Sequence, residues 1–252
     1  MHYAGHPCRI NEIKMLADKY HLHVIEDAAH APGGALDNQF LGSWGVIGCF
    51  SFFSNKNLST GEGGMVTTND KDIADKIRLL RSHGMTSLTW DRHQGHAYSY
   101  DVVDLGYNYR IDEIHSALGL VQLNKLTENN LKRENIVHKY WDAFQDSGLG
   151  LPFRKQAQEE NVQPAYHIFP ITLPKNFSRK AFIDSLRESG IQTSIHYPPI
   201  HLFTYYSKVF PGLCLPRTEL FASREVTLPL YPSLPSDKLS LVIDSVNQSL
   251  AR

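Results

Sequence analysis

The stretch Phe50-Ser-Phe-Phe-Ser-Asn-Lys56-Asn-Leu-Ser-Thr-Gly-Glu-Gly-Gly-Met65 sets one lysine between an aromatic, apolar run and three glycines. A lysine in such a setting sheds part of its hydration, which favours the neutral, nucleophilic amine. Glycines let backbone approach a ligand closely or adopt φ > 0. A neutral lysine beside a tight polar turn suits imine chemistry with an aldehyde cofactor. Taken alone, Lys56 reads as a surface lysine on a glycine-rich loop, because short motifs match by chance. The residues upstream change that balance. Asp27 closes the predicted strand Leu22 to Glu26, at the carboxyl end where open α/β sheets place their ligands. A carboxylate there pairs with a protonated pyridine nitrogen, or else serves as a helix cap. His30 follows on the same loop and reads either as a ring contact or as a histidine satisfied at the core edge. Ser51 and the Ser54/Asn55 pair supply hydroxyl and amide donors for a phosphate, as do turn amides.

Thirteen histidines invite a metal reading through His21/His23, His93/His96 and His196/His201. None of these pairs is joined to a cysteine or carboxylate at a recognised spacing, so no metal site is expected. No GxSxG elbow supports a serine hydrolase.

The elements that must hold these residues alternate. A helix over Asn11–Tyr20, with Asn11 as its cap, precedes the strand that ends at Asp27. Val46 to Phe53 reads as a buried strand stopping just before Lys56, and Met65 to Thr68 as another. Asp70 caps a helix that turns Ile73, Ile77 and Leu80 inward. His83 to Asp104 reads as a long functional loop. Asp112 then caps a helix with Ile114, Ala117, Leu118 and Val121 on one face, and Val137, Tyr140, Trp141 and Phe144 form a further helical stripe. Gly148 to Gln163 reads as a linker. Beyond it come a strand at Ala165–Leu173, a helix near Ser178–Ser189, a strand at Ile191–Tyr197 and a last helix carrying Leu239, Val242, Ile243 and Val246. The alternation predicts an α/β layered sheet followed by a smaller α+β domain.

The 252 residues suffice for one large or two smaller domains, and 42% hydrophobic against 20% charged content is that of a globular chain. A formal charge of −1 gives no reason to expect a nucleic-acid partner. The apolar runs are too short to span a bilayer, and no secretory signal opens the chain. Cys8, Cys49 and Cys214 are scattered without a CxxC, as in reduced cytoplasmic proteins.

Four ordered motifs, from Glu26-Asp-Ala-Ala-His-Ala31 through the Lys56 stretch and Arg81-Ser-His-Gly84 to Leu105-Gly-Tyr-Asn-Tyr-Arg110 with Glu113, resemble the DegT/DnrJ/EryC1/StrS family. The opening His2-Tyr-Ala-Gly-His-Pro-Cys8, His196-Tyr-Pro-Pro199 and Leu228-Pro-Leu-Tyr-Pro232 extend the likeness along the chain. That family comprises pyridoxal 5'-phosphate-dependent sugar aminotransferases of the aspartate aminotransferase fold, fold type I. The resemblance implies a large cofactor-binding domain over residues 1–127, and a linking helix with a small C-terminal α+β domain over 128–252. It makes Lys56 the catalytic, cofactor-holding lysine and Asp27 the partner of the pyridine nitrogen. His30 contacts the cofactor ring and Ser51 its phosphate. Asn108 reaches the phosphate of the other subunit's cofactor, so a homodimer is expected. His196 and Tyr197 face the sugar. The implied reaction moves an amino group, from L-glutamate as donor, onto a nucleotide-linked keto-sugar in amino-sugar or cell-surface polysaccharide biosynthesis, in the cytoplasm. Family members with histidine in place of the lysine are dehydratases, so Lys56 points to transamination.

The first predicted element is a helix with no strand or glycine loop before it, so an N-terminal portion of the family's large domain is expected to be missing. In the family that portion carries a phosphate loop and an aromatic residue that stacks on the ring. Two other readings follow: a truncated, non-catalytic remnant that at most associates with a full-length partner, and a metal-dependent hydrolase built on the histidines.

Overall fold

The computed structural model describes residues 1–86 and 99–251. His93 and His96 and the middle of the loop predicted over His83 to Asp104 lie outside the described residues. The chain divides into two compact units, one of Met1–Tyr3 with Pro7–Leu126 and one of Ala4–His6 with the residues from Thr127 onward.

In the first unit, α1 (Ile10–Tyr20) leads into β1 (Ile25–Asp27). The helix is closed by His21 in the left-handed region, where the Leu22 amide donates to the Ala17 carbonyl at 2.8 Å. Asn11 does not cap this helix. It lies inside the first turn, and its Oδ1 accepts from the adjacent Glu12 amide. The hairpin β2 (Ala35–Leu36) and β3 (Gln39–Phe40) turns on Asp37 and Asn38, both at positive φ. Asp and Asn are the non-glycine residues that best tolerate this region, and paired positive φ values make a tight hairpin turn.

β4 (Ile47–Ser51) runs parallel to β1, with Asp27 opposite Cys49, and antiparallel to β5 (Gly64–Thr67), with Ser51 opposite Gly64. The sheet order is β1–β4–β5. α2 (Lys71–Leu80) starts at Asp70, whose carboxylate accepts from the Asp72 and Ile73 amides, as its position predicts. The face of α2 departs from expectation: Ile73, Ile77 and Leu80 are only partly covered, and no residue of the helix is fully buried.

The two helical stripes expected after Asp112 form one helix, α3 (Glu113–Phe144). Asp112 caps it by accepting from the His115 amide at 2.9 Å. The sequence between the stripes contains neither proline nor a capping signal that would break it.

The second unit is built on the carboxyl half of that helix. Val137, Tyr140, Trp141 and Phe144 are buried against the strands β7 (Phe169–Thr172) and β8 (Glu225–Leu228) and the helices α5 (Arg179–Glu188) and α8 (Ser236–Leu250). Burying a large apolar side chain contributes roughly 1.5–3 kcal/mol, so this cluster is the main stabiliser of the unit. Tyr140 sends its hydroxyl to the Pro229 carbonyl at 2.9 Å, which satisfies its one polar atom. The short elements α4 (Arg154–Ala157), β6 (Val162–Gln163), α6 (Thr204–Val209) and α7 (Pro216–Arg224) complete it.

Two expectations are corrected here. The region read as a linker is not loose at its start. Gly150 exchanges both backbone hydrogen bonds with Thr172, and a Cβ on Gly150 would stand 2.1 Å from the Thr172 hydroxyl. The strand expected over Ile191–Tyr197 does not form. Only Ser194 bridges to Thr227, because the chain beyond it is held through side chains instead.

Candidate active site

Lys56 sits on a loop that folds back on itself after β4. The Lys56 amide donates to the Phe53 carbonyl, the Thr60 amide to the Phe52 carbonyl, and the Phe52 amide to the Gly63 carbonyl, all at 2.9 Å. Asn57, Leu58 and Thr60 are buried and anchor the loop. Thr60 donates its hydroxyl to the Glu62 carbonyl at 2.6 Å. Gly63 adopts φ +142°, and a Cβ there would meet the Thr60 hydroxyl at 2.8 Å and Ile111 at 3.2 Å. The glycine is therefore required by both conformation and space.

This scaffold holds Lys56 half-buried. Burial pushes its ammonium below the ordinary lysine range, and the nearby Asp27 charge pulls it partly back. Asp27 ends β1 and is exposed, with one carboxylate oxygen accepting from the Ala29 amide at 3.1 Å. The helix cap considered for it is not formed, because a turn and no helix follows β1; the bond closes that turn. It occupies one oxygen and leaves the carboxylate at the mouth of the sheet. The same charge, after burial, pushes the Cys49 thiol up. Asp27 and Lys56 thus meet electrostatically at the carboxyl end of the parallel pair β1–β4, where this fold class places ligands.

The remaining expected site residues divide. Ser51 is the last residue of β4, half-buried, with its hydroxyl accepting from the Phe53 amide at 3.3 Å. Ser54 and Asn55 are exposed. His30 is buried on the loop leaving β1, its ring 6.2 Å from that of Tyr3. Asn108 is exposed and pairs with Ser82 on the segment following α2, between Tyr107 and Tyr109, whose rings stack at 5.0 Å. His196 and Tyr197 belong to the second unit. There the His196 ring is held edge-on to Tyr197 at 4.7 Å, and Tyr197 is exposed.

Sequence reasoning passed over Glu26. Its carboxylate is buried and accepts from the Gly42, Trp44 and Gly45 amides at 2.6–2.8 Å, and it contacts His2. The available signal was strand alternation: with Asp27 facing out, Glu26 must face in. Among the described residues no three His, Cys, Asp or Glu side chains converge to hold a metal ion. Likewise no helix is long and apolar enough to cross a membrane.

Residues 1–247 match the DegT/DnrJ/EryC1/StrS aminotransferase family. The chain belongs to that family. It is 37% identical to MJ1066, an uncharacterized protein of Methanocaldococcus jannaschii, over 98% of this chain and 65% of that protein. It is 36% identical to the spore coat polysaccharide biosynthesis protein SpsC of Bacillus subtilis, over 98% of this chain and 64% of that protein. Among solved structures it is similar to Helicobacter pylori PseC, an aminotransferase involved in pseudoaminic acid biosynthesis. The TM-score is 0.91 at 30% identity, covering 99% of this chain and 65% of that one. The chain spans about 65% of the length of the curated relatives it matches. Its α/β fold is that of the pyridoxal-phosphate-dependent sugar aminotransferases.

Proposed function

We propose that this protein is a pyridoxal 5'-phosphate-dependent aminotransferase that moves an amino group, with L-glutamate as donor, onto a nucleotide-linked keto-sugar. The observation that carries the reading is the Lys56–Asp27 pair. A half-buried amine with weakened proton affinity stands within reach of a carboxylate's charge, at the ligand end of the sheet, in a chain of this family.

The donor set fits the cofactor: an amine for its aldehyde, a carboxylate for its pyridine nitrogen, and hydroxyl and amide groups for its phosphate. When bound, the cofactor supplies an electron sink for the carbanion formed at the donor's α-carbon. The other roles belong to the protein. Lys56 would hold the cofactor through its Nζ. The neutral Nζ then takes the proton from the donor α-carbon and later returns it. Asp27 keeps the ring nitrogen protonated. Ser51 and, from the second subunit of a homodimer, Asn108 hold the phosphate. His30 lies against the ring, and His196 and Tyr197 receive the sugar. Residues 1–127 thus handle the cofactor and 128–252 the sugar, in a cytoplasmic step of amino-sugar or polysaccharide biosynthesis.

The test is spectroscopic. Purified protein with added pyridoxal phosphate should gain a visible absorption band that Lys56→Ala abolishes. Borohydride should fix one pyridoxyl phosphate on the peptide containing Lys56. A colourless wild type, or label on another lysine, rejects the reading.

A further inference from the structure

One threonine and two glycines tie the lysine loop to the long helix α3. The Thr60 amide donates to the Phe52 carbonyl at 2.9 Å, and the Phe52 amide donates to the Gly63 carbonyl. Lys56 lies midway along the loop that the Thr60–Phe52 bond closes. Where Thr60 is seated therefore decides where Lys56 stands. Thr60 is 1% exposed. Its hydroxyl donates to the Glu62 carbonyl at 2.6 Å, which fixes χ1 and with it the direction of the Cγ2 methyl. That methyl faces α3. A Cβ on Gly119 of this helix would stand 3.2 Å from it. Carbon atoms pack best at about 3.5–4.0 Å, so a methyl added there must push its neighbour aside. Thr60 has little room to yield. Turning χ1 breaks the bond to Glu62, and on the hydroxyl side a Cβ on Gly63 would already meet Oγ1 at 2.8 Å. Glycine inside a helix is a poorer choice than alanine. Gly119 is partly buried within α3, away from either end and without a positive φ, so its backbone does not require glycine. The space it leaves for Thr60 is its structural reason.

We infer that Thr60 and Gly119 are positioning residues for Lys56: the Thr60 methyl, seated in the gap that Gly119 leaves on α3, sets where the lysine loop and its amine stand. Both act through Lys56. Their meaning for catalysis rests on the role proposed for that lysine. The seating itself rests only on geometry within the first unit.

The experiment follows the Lys56 titration in the cofactor-free chain, by 13C NMR after reductive methylation with labelled formaldehyde. The signal is assigned by its loss in Lys56→Arg. Burial holds the Lys56 ammonium below the ordinary lysine range. Gly119→Ala displaces the loop and admits water, so the titration should shift up towards that range, although alanine is the better helix former. Thr60→Ser removes the methyl and keeps the hydroxyl. In the double variant Gly119→Ala/Thr60→Ser the titration should return to the wild-type position, a reciprocal rescue that a general loss of fold would not give. Thr60→Val leaves α3 untouched and removes the bond to Glu62, so it tests the same seating should Gly119→Ala fail to fold, and it should shift the titration up as well. A Lys56 titration unmoved by Gly119→Ala or by Thr60→Val, or a double variant that stays displaced, overturns the inference. No cofactor enters this measurement. Absence of the absorption band on adding pyridoxal phosphate would therefore count against the aminotransferase reading and leave the seating of the loop intact.

Discussion

Nε2 of His2 lies 2.9 Å from a carboxylate oxygen of Glu26, with both side chains closed off from solvent. Burial acts on each group against its charged form. For Glu26 the hydrogen bonds from His2 and from the Gly45, Gly42 and Trp44 amides outweigh it, and its carboxyl falls below the usual range. For His2 burial pushes down, but the contacts with Cys8 and Glu26 prevail and raise it. The two shifts agree in sign: each partner favours the other's charged form.

Glu26→Gln should therefore destabilise the first unit by about 3 kcal/mol, because it takes the carboxylate partner from the buried His2 and spoils the cradle for three amides. Chemical denaturation measures this, and a loss under about 1 kcal/mol would show the pair to be dispensable. The pair also sets a pH window. Its His2 half contributes fully below 6.5 and fades as pH rises through the raised folded value. Its Glu26 half contributes above 4.5 and fades as pH falls through the lowered one.

Cys8 shares in this arrangement. Burial pushes its thiol up, yet the hydrogen bond and charge of His2 bring it below the ordinary value. The Cys49 thiol is raised, first by burial and then by the Asp27 charge. Both are half-buried, so exposure does not separate them. Iodoacetamide labelling followed by mass spectrometry near neutral pH should find Cys8 alkylated several-fold faster than Cys49. Equal rates, or a faster Cys49, would contradict the assignment.

Lys56 responds to two opposed influences, burial lowering its affinity for a proton and Asp27 raising it. Asp27→Asn removes the second, so the Lys56 ammonium should titrate at lower pH in the variant. Reductive methylation with labelled formaldehyde lets NMR follow that titration without cofactor. An unchanged or upward-moving titration would show that the two groups do not interact. If Asp27 holds the ring nitrogen as proposed, the same variant with cofactor present should lose activity by about two orders of magnitude or more.

His6 is buried within the second unit, stacked on Phe153 at 4.4 Å, and its Nδ1 has no hydrogen-bond partner among the described residues. Burial pushes its pKa down to about 3. The unfolded chain binds a proton there below 6.5 while the folded one does not, so stability must rise with pH between about 3 and 6.5. At 1.36 kcal/mol per unit the effect reaches at most about 5 kcal/mol. His6→Phe keeps the stacking and removes the titration, and its acid-unfolding midpoint should move to lower pH. A midpoint that stays in place would mean that other groups govern acid unfolding.

Much of the candidate site was legible in the chain, because its signals are local. Lys56 announces itself by the glycines that follow it, Asp27 by its place at a strand end, and the caps at Asp70 and Asp112 by the helical spacing after them. Helix faces were harder. Ile114, Leu118 and Val121 share a stripe, yet all three are exposed, 80% in the case of Ile114, while the equivalent stripe at Val137, Tyr140 and Phe144 is buried. Periodicity states that a face is apolar and is silent on what packs against it.

By itself the sequence determined the ancestry and most of the alternation of elements, and it named the candidate residues, since each of these signals lies over a few neighbouring positions. The tertiary structure alone decided which groups share a charge environment. Asp27 acts on Lys56 because β1 and β4 lie side by side, Glu26 gathers amides from sixteen to nineteen residues away, and Glu225 reaches His196 across twenty-nine. Such couplings depend on distances in space that no local spacing encodes, and they fall off within a few ångströms.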